Sequence, residues 1–283
     1  MPLLASGCGA VTAADSEAAP TESLTERFDP NSFTNPTNID NQWFPLSPGT
    51  QLVWEGEANV DGERIPRRVV FTVTDLTKVI AGVRTVVGYD LDYDGDELVE
   101  AEVAFWAQDD DGAVWHLGQY PEEYEEGVFV DAPVWIHGLR GANAGISMTA
   151  SPRLGTPSYS QGWGPEVGWN DRARVSEIGQ QTCVPTDCYT DVLVIDEFNV
   201  DEPDAHQLKY YAPGVGNVRV GWEGAGEQEQ ETLELVSHVQ LSPEELARVR
   251  DEALALESRA YEVSQQVYGR TPPTEHAGIG HSP

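Results

Sequence analysis

The residues best placed to do chemistry lie in Asp90-Leu-Asp92-Tyr-Asp94-Gly95. Aspartates at alternate positions before a glycine match the first half of a D-x-D-x-D-G calcium loop, whose carboxylates wrap a hard cation around a tight turn. The second half does not follow, because Ala101 stands where a bidentate glutamate belongs, flanked by Glu100 and Glu102. A calcium turn built from Asp90, Asp92, Asp94 and Asp96 is one reading. A solvated hairpin tip at the Asp94-Gly95 turn is the expectation. Asp109-Asp110-Asp111-Gly112 reads as a second such turn.

Other chemistry is sparse. The six histidines (116, 137, 206, 238, 276 and 281) contain no pair at the i, i+2 or i, i+4 spacing of a metal site. No G-x-S-x-G elbow, P-loop or dinucleotide fingerprint occurs, so no catalytic residue is singled out. A carboxylate pair for hydrolysis is available simply because the chain holds 48 acidic residues. Among the eight tryptophans, Trp163 and Trp169 stand apart in a Gly-rich stretch, where they could be platforms for a sugar or an apolar ligand. The strand tryptophans are expected in the core, with Trp106 and Trp115 paired across a hairpin.

The formal net charge is −32, from 16 basic and 48 acidic residues. Such a field repels nucleic acid and anionic headgroups, which removes nucleic-acid binding and leaves a lipid anchor as the only membrane contact expected. The acidity concentrates between Asp90 and Glu126, which contribute 14 of the 48 carboxylates. No run of 18 apolar residues occurs, so no helix is expected to span a bilayer.

The cysteines divide one and two. Cys8 follows Leu3-Leu4-Ala5-Ser6-Gly7, a lipobox-like run in which Ala5 replaces the usual leucine. The low-complexity segment after it suits a tether, so lipidation at Cys8 is expected, with a leader upstream of a start site placed too late. Cys183 and Cys188 enclose Val-Pro-Thr-Asp, a span that suits a disulfide between neighbouring strands and agrees with export.

About a dozen strand-like segments follow one another from Gln51 to Gln240 at turn-bounded intervals, without helical pattern between them. Residues 138–170 interrupt them as an irregular excursion rich in Gly, Ser and Pro, the first place to look for a ligand site. Ser242-Pro243-Glu244-Glu245 is a capping box with proline at the first helical position. Leu246, Val249, Ala253, Leu256, Ala260, Val263 and Val267 then form an apolar stripe that predicts a helix over 241–269, docked on the sheet.

NIDNQWFPLSPGTQLVWEG, KYYAPGVGNV and YEVSQQVYGRTPP together resemble segments of uncharacterised bacterial exported proteins and lipoproteins. Those open on an N-P-Y-F-P-L-x-P-G-T type segment and carry a Y-A-P-G-V-G-x-V strand pair; here Gln42-Trp43 replaces the usual Pro-Tyr. The resemblance implies an envelope location and a large curved antiparallel sheet, with no activity and no catalytic residues to carry over. The expected fold class is therefore all-β: an antiparallel meander forming an open or half-closed barrel, with one C-terminal helix docked on it. Its parts are a leader remnant and linker over 1–25, one β domain over 26–240, the helix, and a disordered tail over 270–283. The expected role is a non-enzymatic binding module for an apolar ligand or a protein partner. An extracytoplasmic hydrolase and a calcium-stabilised adhesion module are the rivals.

Overall fold

Hairpin turns set the register of the sheet. In a computed structural model that describes residues 24–60, 62–202 and 204–277, five long strands follow one another: β1 (Thr50–Val60), β2 (Glu63–Ile80), β3 (Val83–Asp94), β4 (Glu97–Gln108) and β5 (Val114–Glu125). Ala81-Gly82 is the turn between β2 and β3. Both residues have positive φ, 49° and 87°, as a two-residue hairpin loop with the twist of its strands requires. The next turn lies at Gly95-Asp96, so Asp94 pairs with Glu97.

Short strands follow: β6 (Val128–Asp131) and β7 (Trp135–Ile136) lie before the excursion, and β8 (Asn143–Met148), β9 (Tyr159–Ser160) and β10 (Gly162–Trp163) lie within it. The excursion is thus less irregular than its composition suggests. Four long strands complete the meander: β11 (Asp171–Val184), β12 (Asp187–Asn199), β13 (His206–Ala212) and β14 (Gly216–Glu223). The last of the series, β15 (Thr232–Gln240), pairs with both β14 and β1. Cys183 and Cys188 face each other in the β11–β12 hairpin and are joined by a disulfide, with Cα atoms 4.0 Å apart.

The sheet runs β10-β8-β5-β4-β3-β2-β1-β15-β14-β13-β12-β11-β9, all antiparallel, and is a nearly closed barrel. Its two ends belong to one stretch of chain. Tyr159 and Ser160 pair with β11, and Gly162 and Trp163 pair with β8, with Gln161 spanning the seam. Close approach there depends on Gly145, where an added Cβ would lie 2.1 Å from the Gly162 nitrogen.

The β2–β5 sheet is covered on both faces. Outside, Leu76, Val87, Val103, Phe105 and Leu117 are buried under α1 (Pro243–Val263) through Ala253, Leu256 and Ala260. The helix starts as expected: the Ser242 hydroxyl accepts from the Glu245 N–H, and the Glu245 carboxylate accepts from the Ser242 N–H. It stops earlier than the stripe predicts. Ser264 caps it, Val263 is exposed, and Val267 reaches the same apolar cluster from beyond the helix end. The tail is also ordered further than expected. Tyr268 is fully buried, and β16 (Glu275–His276) pairs with β2.

Lys78, fully buried on β2, ties these pieces together. Its Nζ donates to Glu257 of α1 at 2.8 Å, to the Tyr261 hydroxyl at 3.1 Å and to the Pro272 carbonyl at 2.7 Å. Glu257 also accepts from the Tyr268 hydroxyl and the Thr274 N–H. Trp115 lies on this outer face with Phe28 and Phe33, whereas Trp106 faces inward. The expected Trp106–Trp115 pair is therefore absent, because a bulge after Phe105 sets Trp106 opposite His116 and Ala107 opposite Trp115.

Candidate ligand-binding site

Alternation along the strands sends two kinds of residue into the barrel. Toward one end the inner positions are apolar: Leu52, Trp54, Phe71, Val73, Leu193 and Leu235 belong to one buried cluster. Toward the other end the same faces turn polar. On β3 and β4 the register sets Asp90 opposite Glu102 and Asp92 opposite Glu100. Facing β-residues hold their Cβ atoms roughly 5 Å apart, so two pairs of like charges are stacked along one hairpin. The apolar residues that alternate with them, Tyr89, Leu91, Ala101 and Val103, point to the outer core. This inverts the usual arrangement, since here the apolar face lies under a helix and the acidic face lines the lumen.

Across the barrel, β11, β12 and β13 add Asp171, Glu197 and Lys209, and the residue before β15 adds Glu231. Lys209 Nζ lies 2.7 Å from Glu197 Oε2, and Gln161 at the seam donates to Glu197 Oε1 at 2.7 Å. Arg67 on β2 contacts Asp94 at 2.6 Å and Glu231 at 3.2 Å, with Asp92 further off at 3.9 Å. No cation pairs with Asp90, Glu100 or Glu102 among the described residues.

The space between them is a cavity of about 520 Å³. Asp90, Glu100, Glu102, Asp171, Glu197 and Lys209 all border it. An annexe of about 190 Å³ shares Phe44, Asp90, Glu102, Trp106, Lys209 and Tyr211 with it and extends over Leu52, Trp54 and Phe71. The void is thus acidic at one end and aromatic at the other.

Crowding of like charge in a half-buried space keeps protons on the acids. Burial, then the neighbouring carboxylates, pushes Asp90 and Glu102 well above the usual carboxylate range. Burial, then Asp92 and Glu123, raises Glu100 to about 7. Asp92 and Asp171 rise to about 6 and Glu231 to about 7; in each, burial is the largest cause, and Arg67 or Lys209 offsets part of it. Burial works against the charge on Lys209, but Glu197 and the other carboxylates outweigh it and raise its pKa.

One wall is aromatic. His116 stacks on Trp106 at 5.3 Å and meets Trp135 and Trp169 edge-on at 4.9 and 6.1 Å. The histidine is only 6% exposed, its Nε2 has no hydrogen-bond partner, and burial lowers its pKa to about 3.

The residues singled out by sequence are distributed as follows. Asp90 and Asp92 are in the lumen, Asp94 is held by Arg67, and Asp96 is exposed in the turn. They lie along a strand that rises roughly 3.3 Å per residue, not around a loop. Among the described residues, no group of three or more His, Cys, Asp or Glu side chains is placed to hold a metal ion. Trp169 borders the cavity; Trp163, on the seam strand, does not. Cys183 and Cys188 sit on an exposed hairpin tip, and Cys8 lies outside the described residues. The excursion contributes Ser147, Gln161 and Trp169. Glu100, Glu102, His116, Asp171, Glu197, Lys209 and Glu231 were not expected. Part of the signal was present: acids at i and i+2 on both sides of an Asp-Gly turn must share a face once the hairpin forms.

No family model matches the chain, and no curated protein sequence does. Two solved structures are similar. One, from Bacteroides fragilis, is described as a "putative exported protein with YmcC-like fold"; it is 12% identical at a TM-score of 0.41, covering 70% of this chain and 98% of that one. The other, from Parabacteroides distasonis, is described as a "putative lipoprotein"; it is 11% identical at a TM-score of 0.39, with the same coverage.

Proposed function

We propose that this protein is an extracytoplasmic binding module that takes a small ligand inside its barrel. The observation that carries this reading is the cavity of about 520 Å³, lined in part by Asp90, Glu100 and Glu102, which pair with no cation among the described residues. Buried ionisable groups are ordinarily paired, as Lys78 and Glu257 are. Surplus charge held open in a cavity fits a site completed from outside. The polar lining and aromatic annexe suit an amphipathic molecule better than a wholly apolar one. The test is a thermal-shift and tryptophan-fluorescence screen with neutral, anionic and cationic small molecules, run beside Gln207→Trp, which puts an indole in the cavity. A ligand that raises Tm and quenches fluorescence in the wild type but not in the variant is the expected result. No response from any class would count against the reading.

Location belongs to the same proposal. The Cys183–Cys188 disulfide and the lipobox-like Cys8 support a domain tethered to the outer face of a membrane. Replacing Cys8 with Ser in the natural gene is expected to move the protein from the membrane to the soluble fraction, and an unchanged distribution would refute the tether.

A hydrolase is the second reading, favoured by Glu100 and Glu231 with pKa values of about 7, suited to proton transfer near neutral pH. Product formation from a bound ligand, lost in Glu100→Gln, would select it over simple binding.

A further inference from the structure

From the charge balance and the aromatic wall, we infer that the ligand is an organic cation: an amine, with its charge among Asp90, Glu100 and Glu102 and an aromatic or apolar group in the annexe. This rests on the reading of the lumen as a binding site and names the class of molecule that it takes.

Three independent features converge on a cation. The first is the imbalance of charge. Lys209 is committed to Glu197, and Arg67 to Asp94 and Glu231. The hairpin carboxyls facing them across the void are left without a counter-charge. Protons stand in for that counter-charge, so an anion would meet no free cation there and a neutral ligand would leave the protons in place. An ammonium group supplies the charge that the fold omits.

The second is His116. A neutral imidazole has one donor and one acceptor nitrogen. Burial holds the ring neutral, so one of its two nitrogens is an acceptor. With the proton on Nδ1, Nε2 is the acceptor, buried and unpartnered on a ring that borders the cavity. An acceptor without a partner is matched by a ligand with N–H groups, and an ammonium has only donors to offer. A carboxylate or phosphate ligand would leave Nε2 unsatisfied.

The third is the wall itself. Trp106 borders both the acidic cavity and the annexe. An aromatic face within about 6 Å of an ammonium attracts it through the ring quadrupole, the more so away from water. The annexe, at about 190 Å³, exceeds the roughly 150 Å³ of an apolar cavity known to accept benzene. A ring one methylene from the ammonium would therefore reach from the annexe to the carboxyls. A hydrated metal ion would use neither the annexe nor Nε2 as it stands, and the carboxyls are not clustered to coordinate one.

The experiment is isothermal titration calorimetry with three probes of one shape: benzylamine, benzyl alcohol and benzoate. Binding by benzylamine is expected at least about tenfold tighter than by benzyl alcohol, with no binding by benzoate. The Asp90→Asn, Glu102→Gln double variant should lose at least about tenfold in benzylamine affinity and keep its affinity for benzyl alcohol. Both changes keep side-chain size, and an unaltered circular dichroism spectrum and Tm no lower than wild type confirm that the variant folds. Benzyl alcohol or benzoate binding as tightly as benzylamine would overturn the cation and leave the lumen as a site. Failure of all three probes would overturn the inference, and the lumen reading would fall with it if the wider screen were also silent.

Discussion

The chain has only two lysines, and they show two ways of burying a charge. Lys78, on the outer face of β2, is fully buried and satisfied by Glu257, Tyr261 and Pro272. Lys209, on the inner face of β13, keeps part of its surface open, has Glu197 as its ion-pair partner, and looks across a void at unpaired acids. The first is a closed account, with one cation, one anion and donors for the remaining lone pairs, and it fastens the helix and tail to the sheet. The second is open, since carboxyls outnumber cations and protons make up the difference. Closure marks structure, and surplus marks a site.

The largest effect that separates them is on stability. Lys78→Met leaves Glu257 buried without its cation and is expected to cost about 3–5 kcal/mol in urea denaturation. Lys209→Met, measured at pH 5.5 where neighbouring acids can hold protons, is expected to cost no more than about 1 kcal/mol. Equal losses would erase the distinction.

The next effect is on the pH dependence. Acids whose folded pKa lies above the unfolded one bind more protons when folded. Their contribution is full below pH 4 and is lost as the pH rises through about 6 to 7. A carboxyl at about 7 instead of 4.5 costs roughly 3 kcal/mol at pH 8. Glu100→Gln should therefore raise stability at pH 8 by up to that amount and do little at pH 4. His116 works oppositely. Its folded pKa of about 3 removes stability as the pH falls from about 6.5. Burial lowers His137 in the same direction, but the two histidines are outnumbered, so stability should still fall from pH 5 to pH 8 in thermal melts. A flat or rising profile would contradict the lumenal surplus.

The smallest effect concerns the outer account alone. Ser242→Ala removes the helix cap and should cost about 1 kcal/mol, while benzylamine affinity stays unchanged by calorimetry. A change in affinity would mean that the two faces are coupled.

Much of the fold was legible in the residues. Alternation gave the strands, and Ser242 to Glu245 gave the start of the helix. Face direction was not legible. Tyr89, Leu91, Ala101 and Val103 alternate with Asp90, Asp92, Glu100 and Glu102 whichever side is inside, and a period of two cannot say that a helix will cover the apolar side. The acids accordingly read as a solvated tip. The Trp106–His116 stack depends on a bulge in β5 that leaves Leu117 as the extra residue opposite Phe105 and Trp106, and Gly118 beside it, with φ of 137°, is its one local sign. The opposite wall depends on closure. Glu197 and Lys209 lie about a hundred positions from Asp90 and meet it only because Tyr159–Trp163 joins β11 to β8. Trp169 was identified from composition alone, and Trp163, chosen on the same ground, was left out of the cavity by the pairing of β10.

The most direct test of the surplus-charge account is a pH titration of the side-chain carboxyl carbons by NMR, with ¹³C-labelled Asp and Glu and with or without benzylamine. Several carboxyls are expected to titrate at about 6 to 7 in the free protein, to be lost in Glu100→Gln or Asp171→Asn one at a time, and to shift down when benzylamine is added. A free protein in which every carboxyl has titrated by about pH 5, or midpoints that benzylamine leaves in place, would contradict it.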